Sequence, residues 1–262
     1  MAFFPREHGA YGQLLFPLIT ALGVAGVSPA ALLVALAAVA GFVAHEPLLV
    51  LAGGRGVRAV RERRAPAVRW LAIWGALACV AGIAAFWMVP ARIRWSFLLP
   101  LVPATLLALT FFTKSEKTAR GEVAAALAFA LLATPVCLAS GAPARDALGV
   151  GLAFAAVFVS ATLSVRVIVL NVRGGGQPGA VRAMQRLVLV VSAVTVAALG
   201  WAAAGGLLPW VTLVAAAPGL AVGGVLVVAI PPPARLRAVG WTLVAASAAA
   251  ALILIAGLRL LP

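Results

Sequence analysis

Apolar residues run along this chain in long blocks, and most charged residues fall between the blocks rather than inside them. A block such as LLVALAAVAGFVA (residues 32–44) shows neither the two-residue alternation of a half-buried strand nor the polar stripe of a surface helix. Blocks of about 20 residues cross a roughly 30 Å hydrocarbon layer as helices, because only a helix or a closed barrel satisfies its backbone there. Charged and Pro/Gly punctuation predicts nine spans, at residues 8–27, 29–51, 69–89, 95–113, 122–140, 146–172, 185–204, 207–229 and 238–260. The weakest boundaries are the short turns VSPA (27–30) and AAGGLLP (203–209). The pattern predicts an all-α polytopic membrane bundle, one transmembrane domain over residues 1–262, without an internal repeat.

Composition fixes the class: 65% of the residues are hydrophobic, 10% are charged and the mean hydropathy is +1.15, far from a soluble domain. The first apolar block follows Arg6 and Glu7 without a small-residue cleavage site, so it is expected to stay as a span rather than act as a cleaved signal. Cys79 and Cys137 each lie inside an apolar run, where a thiol packs as a small hydrophobe; their spacing predicts neither a disulfide nor a cysteine metal site.

Charge orients the bundle. Of the 20 Lys and Arg residues, fifteen are Arg6 or fall within 53–69, 114–120, 173–186 and 235–237, while only Arg92, Arg94, Arg145 and Arg259 fall on the other side and Arg166 lies within a span. Positive residues near short loops stay in the cytoplasm, which predicts a cytoplasmic N-terminus, an exported C-terminus and a bacterial cytoplasmic membrane. The net charge of +14 is then a topology signal. Membrane lipids are the expected partners, and nucleic acid is not, since the chain offers no soluble basic face.

The chemistry-bearing side chains gather at the basic end. Both histidines and five of the six carboxylates fall there: Glu7, His8, His45, Glu46, Glu62, Glu116 and Glu122. Pairing of the first two spans as an antiparallel hairpin would bring REHG (6–9) against AHEP (44–47), across 37 residues between the histidines. His45 and Glu46 precede PLLVL, which places them roughly 7–10 Å below the span end, a costly depth for ionisable groups that normally face a bundle interior or a wet cavity. Pro47 withholds a helical donor beside them. Arg166 is the second costly residue; it snorkels to the interface, or holds a carboxylate such as Glu46, or holds a phosphate. Thr162, Arg166 and Arg173 share one helical face, Ser160, Ser164 and Asn171 another, and one of the two must look inward. Thr118 or Gly121 is expected to cap the fifth span with Glu122 in its first turn. RGGGQPG (173–179) lacks the Lys-Ser/Thr ending of a phosphate loop and is expected to be a flexible link.

The opening PREHGAYGQLLFPL (5–18) and the later HEPLLVLAGGRG (45–56) resemble the bacterial YwiC-like membrane proteins, a family that brings no established activity with it. More loosely, the plan resembles the UbiA superfamily of intramembrane prenyltransferases, which implies nine helices and polar sites at the cytoplasmic ends of the second and sixth spans. The superfamily pattern Asn-Asp-x-x-Asp-x-x-x-Asp would fall on His45, Glu46, Leu49 and Gly53, leaving one carboxylate, and its second acidic segment is here SVRVIVLN (164–171), with an arginine and no acid. The usual magnesium–diphosphate site is therefore absent. Two substitutes follow. Arg166 with Arg6, Arg55 or Arg173, and Asn171 beside them, would bind a phosphate directly; or Glu7, His8, His45 and Glu46 would form a mixed nitrogen and oxygen site for a divalent metal.

These readings converge on an intramembrane transferase for an isoprenoid or other amphipathic phosphorylated substrate. Glu46 or His45 would be its base, and Arg6, Arg55, Arg166 and Asn171 its substrate ligands. The alternative is a transporter or lipid-binding protein that selects a small anion.

Overall fold

The computed structural model describes residue 3 and residues 8–112, 118–173 and 178–259, with only the backbone of His8, Phe111, Phe112 and Arg173. Its helices are α1 (His8–Ala25), α2 (Pro29–Leu51), α3 (Val57–Met88), α4 (Leu98–Phe112), α5 (Ala119–Leu131), α6 (Ala133–Ala139), α7 (Ala144–Arg173), α8 (Pro178–Ala204), α9 (Trp210–Ala229) and α10 (Leu236–Arg259). Short 3₁₀ turns at Ala91–Phe97 and Pro233–Arg235 lead into α4 and α10. No strand occurs among the described residues. Among the described residues, eight helical segments are long and apolar enough to cross a membrane, and the shorter apolar Gly9–Ala25 joins them. With α5 and α6 as one interrupted segment, they match the nine expected spans. The chain is a multi-pass integral membrane protein.

Local chemistry sets the ends. At the VSPA turn, Ser28 caps α2 by accepting from the Ala31 N–H at 3.1 Å while donating to Ala139 O at 2.8 Å, and Pro29 takes the first helical position. Ser140 donates to Gly26 O at 2.8 Å in return, so two loops at the end opposite the basic one are stitched together. Thr118 caps α5 through the Gly121 N–H at 3.4 Å, with Glu122 in the first turn, as expected.

Three elements differ from the sequence reading. The third span begins at Val57 rather than 69: VRAVRERRAPAVR forms its first turns, because Arg, Glu and Ala are strong helix formers. At 32 residues α3 is about 48 Å long and overshoots the hydrocarbon layer. α8 likewise starts at Pro178 rather than 185. The fifth span is interrupted at Leu132, since Pro135 cannot donate to the carbonyl of Leu131. The segment 174–177, expected to be flexible, lies outside the described residues.

The core sits around α7, which packs on α5, α6, α8, α9 and α10. Small residues let α7 and α9 approach closely: a Cβ on Gly219 would lie 2.7 Å from Val157 Cγ1, and one on Gly223 would collide with the Ser160 hydroxyl. Of the two candidate α7 faces, the serine face looks inward. Ser160 and Ser164 are buried, and Ser164 donates to Ser160 O at 2.7 Å and Gly223 O at 3.1 Å. α3, α4 and α8 stay at the periphery, with apolar side chains such as Ile73, Val80 and Leu106 more than half exposed to the lipid.

The first two spans are not the broad hairpin expected from sequence. α1 packs chiefly on α10, α6, α5 and α7, and α6 lies against both α1 and α2. The two spans still meet near the basic end, where the Tyr11 and Phe42 rings stand edge to face at 5.1 Å.

Candidate functional site

The site is built by the last turns of α2 and the loop after it. α2 ends in a Schellman motif: Gly53 N–H donates to Val50 O at 3.1 Å and Gly54 N–H to Leu49 O at 2.9 Å, with Gly53 at φ +81°. A second left-handed glycine, Gly56 at φ +89°, together with the Gly56 N–H to Gly53 O bond at 2.9 Å, turns the loop again. The result aims Arg55 back along α2. Its Nε donates to Glu46 Oε1 at 2.9 Å and its Nη2 to Oε2 at 2.6 Å, a two-pronged pair in which the Glu46 side chain is 11% exposed and Arg55 32%. GGRG is thus a helix terminator that also delivers a cation to a buried acid nine residues earlier.

A second pair joins α5 to α7. Arg166 Nη1 donates to Glu122 Oε2 at 2.9 Å, with side-chain exposures of 22% and 39%. Arg166 therefore takes a carboxylate, but Glu122 rather than Glu46, because α7 packs on α5 and the first turn of α5 lies opposite the penultimate turns of α7.

Beneath these pairs lies an aromatic floor. Tyr11 of α1 meets Phe42 of α2, and Phe42 meets Phe129 of α5 edge to face at 5.6 Å. Phe42 precedes Glu46 by four residues and Phe129 follows Glu122 by seven, so the rings lie roughly 6–10 Å deeper than the two acids. Both ion pairs thus stand on the basic side of one apolar floor. Phe3 docks on the same end, buried with Val50 and Ala67 and 6.0 Å from the Trp70 ring.

His45 lies beside Glu46 in the same turn of α2 and, like Arg55, Arg166 and Tyr11, makes a further interaction. Asn171 is exposed near the end of α7 and makes none of the contacts that organise the cluster. Arg6 and Glu7 lie outside the described residues, as do the side chains of His8 and Arg173. Among the described residues no three His, Cys, Asp or Glu side chains come together. Both Glu46 oxygens are held by Arg55, so a divalent cation at Glu46 would take the place of that guanidinium. Sequence gives Glu122 a capping place in the first turn of its span; Arg166, a cation within another span that requires an anionic partner, is the signal for its second role.

No curated protein and no solved structure matches the chain. The model of one family, YwiC-like protein, matches residues 4–137. That region covers α1 to most of α6, including Glu46, Arg55 and Glu122 but not Arg166. Spanning just over half of the 262 residues, the match means that this chain belongs to the YwiC-like protein family.

Proposed function

We propose that this protein, in a bacterial cytoplasmic membrane, engages an amphipathic phosphorylated molecule, an isoprenoid diphosphate in the concrete case, and acts on it as a divergent UbiA-like transferase. One observation carries the reading: two arginine–glutamate pairs stand over an apolar aromatic floor at the basic end. A phosphate competes well for a guanidinium already held by a carboxylate, since both present two oxygens to the planar fork of the guanidinium and the phosphate carries more charge. The head would take Arg55 and Arg166 from their acids, and the chain would run along the rings. The exchange releases Glu46, beside His45, as a base close to the bound head. No metal is needed for that binding step, which accords with the loss of all but one acid of the superfamily pattern.

The test uses purified protein in lipid nanodiscs with a labelled isoprenoid diphosphate and a panel of aromatic acceptors. Diphosphate release that depends on Arg55 and Arg166 supports the transferase. Saturable binding without release reduces the reading to a lipid binder, and label moved unchanged into sealed vesicles replaces it with transport. Absence of any saturable binding removes it altogether.

A further inference from the structure

α8 and α9 enclose an open groove of about 270 Å³ lined by Arg182, Gln185, Arg186, Leu189, Val227 and Val228. Arg182 and Arg186 are one turn apart on α8 and therefore project on the same side. Both are exposed, and among the described residues neither forms an ion pair. The described acids are engaged or remote: Glu46, Glu62 and Glu122 hold other arginines, and Asp146 starts α7 at the opposite end of the bundle. Among the described residues, two positive charges therefore face the groove uncompensated, near the N-terminal end of a 27-residue helix.

Apart from Gln185, the rest of the lining is apolar. Val227 is fully buried and forms the floor, while Leu189 is 45% and Val228 74% exposed toward the lipid side. Gln185 is committed to the walls: its amide nitrogen donates to Val227 O at 2.8 Å, tying α8 to the last turn of α9. Among the described lining residues, the groups left to recognise a ligand are two guanidiniums at one end and an aliphatic surface running from them.

We infer that this groove is a binding site for an anionic phospholipid of the membrane leaflet at the basic end, its phosphate held between Arg182 and Arg186 and its acyl chain laid over Leu189 and Val228. Paired guanidiniums suit a phosphodiester, and a lipid meets both halves of the lining at once. The site is separate from the Glu46 cluster and does not rest on the transferase reading.

The test titrates phosphatidylglycerol into the full-length protein held in phosphatidylcholine nanodiscs and counts bound lipids by native mass spectrometry. The R182Q/R186Q variant is expected to bind phosphatidylglycerol about thirtyfold more weakly, as loss of two interfacial charges at about 1 kcal/mol each implies. The R61Q/R64Q variant, which removes two exposed charges from α3 that do not line the groove, is expected to leave lipid held there within about twofold of the unaltered protein, since screening leaves distant surface charges little effect at the site. Equal loss in both variants, or loss in neither, overturns the site. Displacement of the lipid by inorganic phosphate at the same concentration also overturns it, because a free anion would then be the ligand. Helical circular dichroism of each variant confirms that the bundle is intact.

Discussion

The Glu46–Arg55 pair predicts an asymmetry between its two halves. Arg55→Gln leaves a carboxylate whose side chain is only 11% exposed without the cation that bonds both of its oxygens. Stranding one charge of a buried pair costs about 3–5 kcal/mol, and the one-third exposure of Arg55 lowers this to about 2–3 kcal/mol. Glu46→Gln strands the guanidinium instead. Arg55 sits on a loop, 32% exposed, and turns toward water, so this substitution costs about 1 kcal/mol. The double variant strands neither charge and falls short of the sum by about 1–2 kcal/mol. Reversible unfolding in mixed detergent and dodecyl sulfate micelles, followed by circular dichroism, measures all three. Equal costs for the single variants, or additivity within about 0.5 kcal/mol, would refute the view that a buried acid is being neutralised by a cation on its helix terminator.

Four further outcomes are expected. Glu122→Gln removes the carboxylate that competes for Arg166 and tightens binding of a labelled isoprenoid diphosphate about threefold, whereas Arg166→Gln weakens it at least about tenfold; equal affinities speak against exchange of partners. Gly223→Ala drives a Cβ into the Ser160 hydroxyl and costs about 1–3 kcal/mol in the same unfolding assay, while Gly224→Ala, which meets nothing within 4 Å, is neutral or better. Gly53→Ala, at φ +81°, costs about 1 kcal/mol and Gly54→Ala less, because only the former needs the left-handed conformation. In a background without Cys79 and Cys137, an impermeant maleimide labels a cysteine at position 92 in intact cells but one at position 61 only after permeabilisation; the reverse result inverts the bundle.

The spans were legible because lipid imposes one requirement on every residue of a crossing segment, so block length and punctuation predict both ends of α2 and the C-terminal end of α9 to the residue. The misread starts, α3 at Val57 and α8 at Pro178, share a cause. Arginine is both a topology signal and a good helix former, and hydropathy registers the first property while missing the second. Helix neighbours were less legible. Nothing in α1 or α2 alone says that α6 will lie against both of them, since that contact depends on Ala and Gly surfaces spread through the rest of the chain.

The candidate site was half legible for a similar reason. Depth marked Glu46 and Arg166 as costly, and cost implied partners, but the sequence offered several cations for one acid and several acids for one cation. What decided between them was backbone conformation for the first pair and helix packing for the second. Gly53 and Gly56 reverse the chain so that a residue nine positions on returns to Glu46, a result that no helical periodicity contains. Arg166 found Glu122 because α7 lies on α5. An arginine on the loop after a helix differs from one within a packed helix: the first can follow a new anion with its backbone, the second only with its side chain. If a phosphorylated head enters this end of the protein, Arg55 therefore meets it by moving its loop and Arg166 by turning its guanidinium away from Glu122.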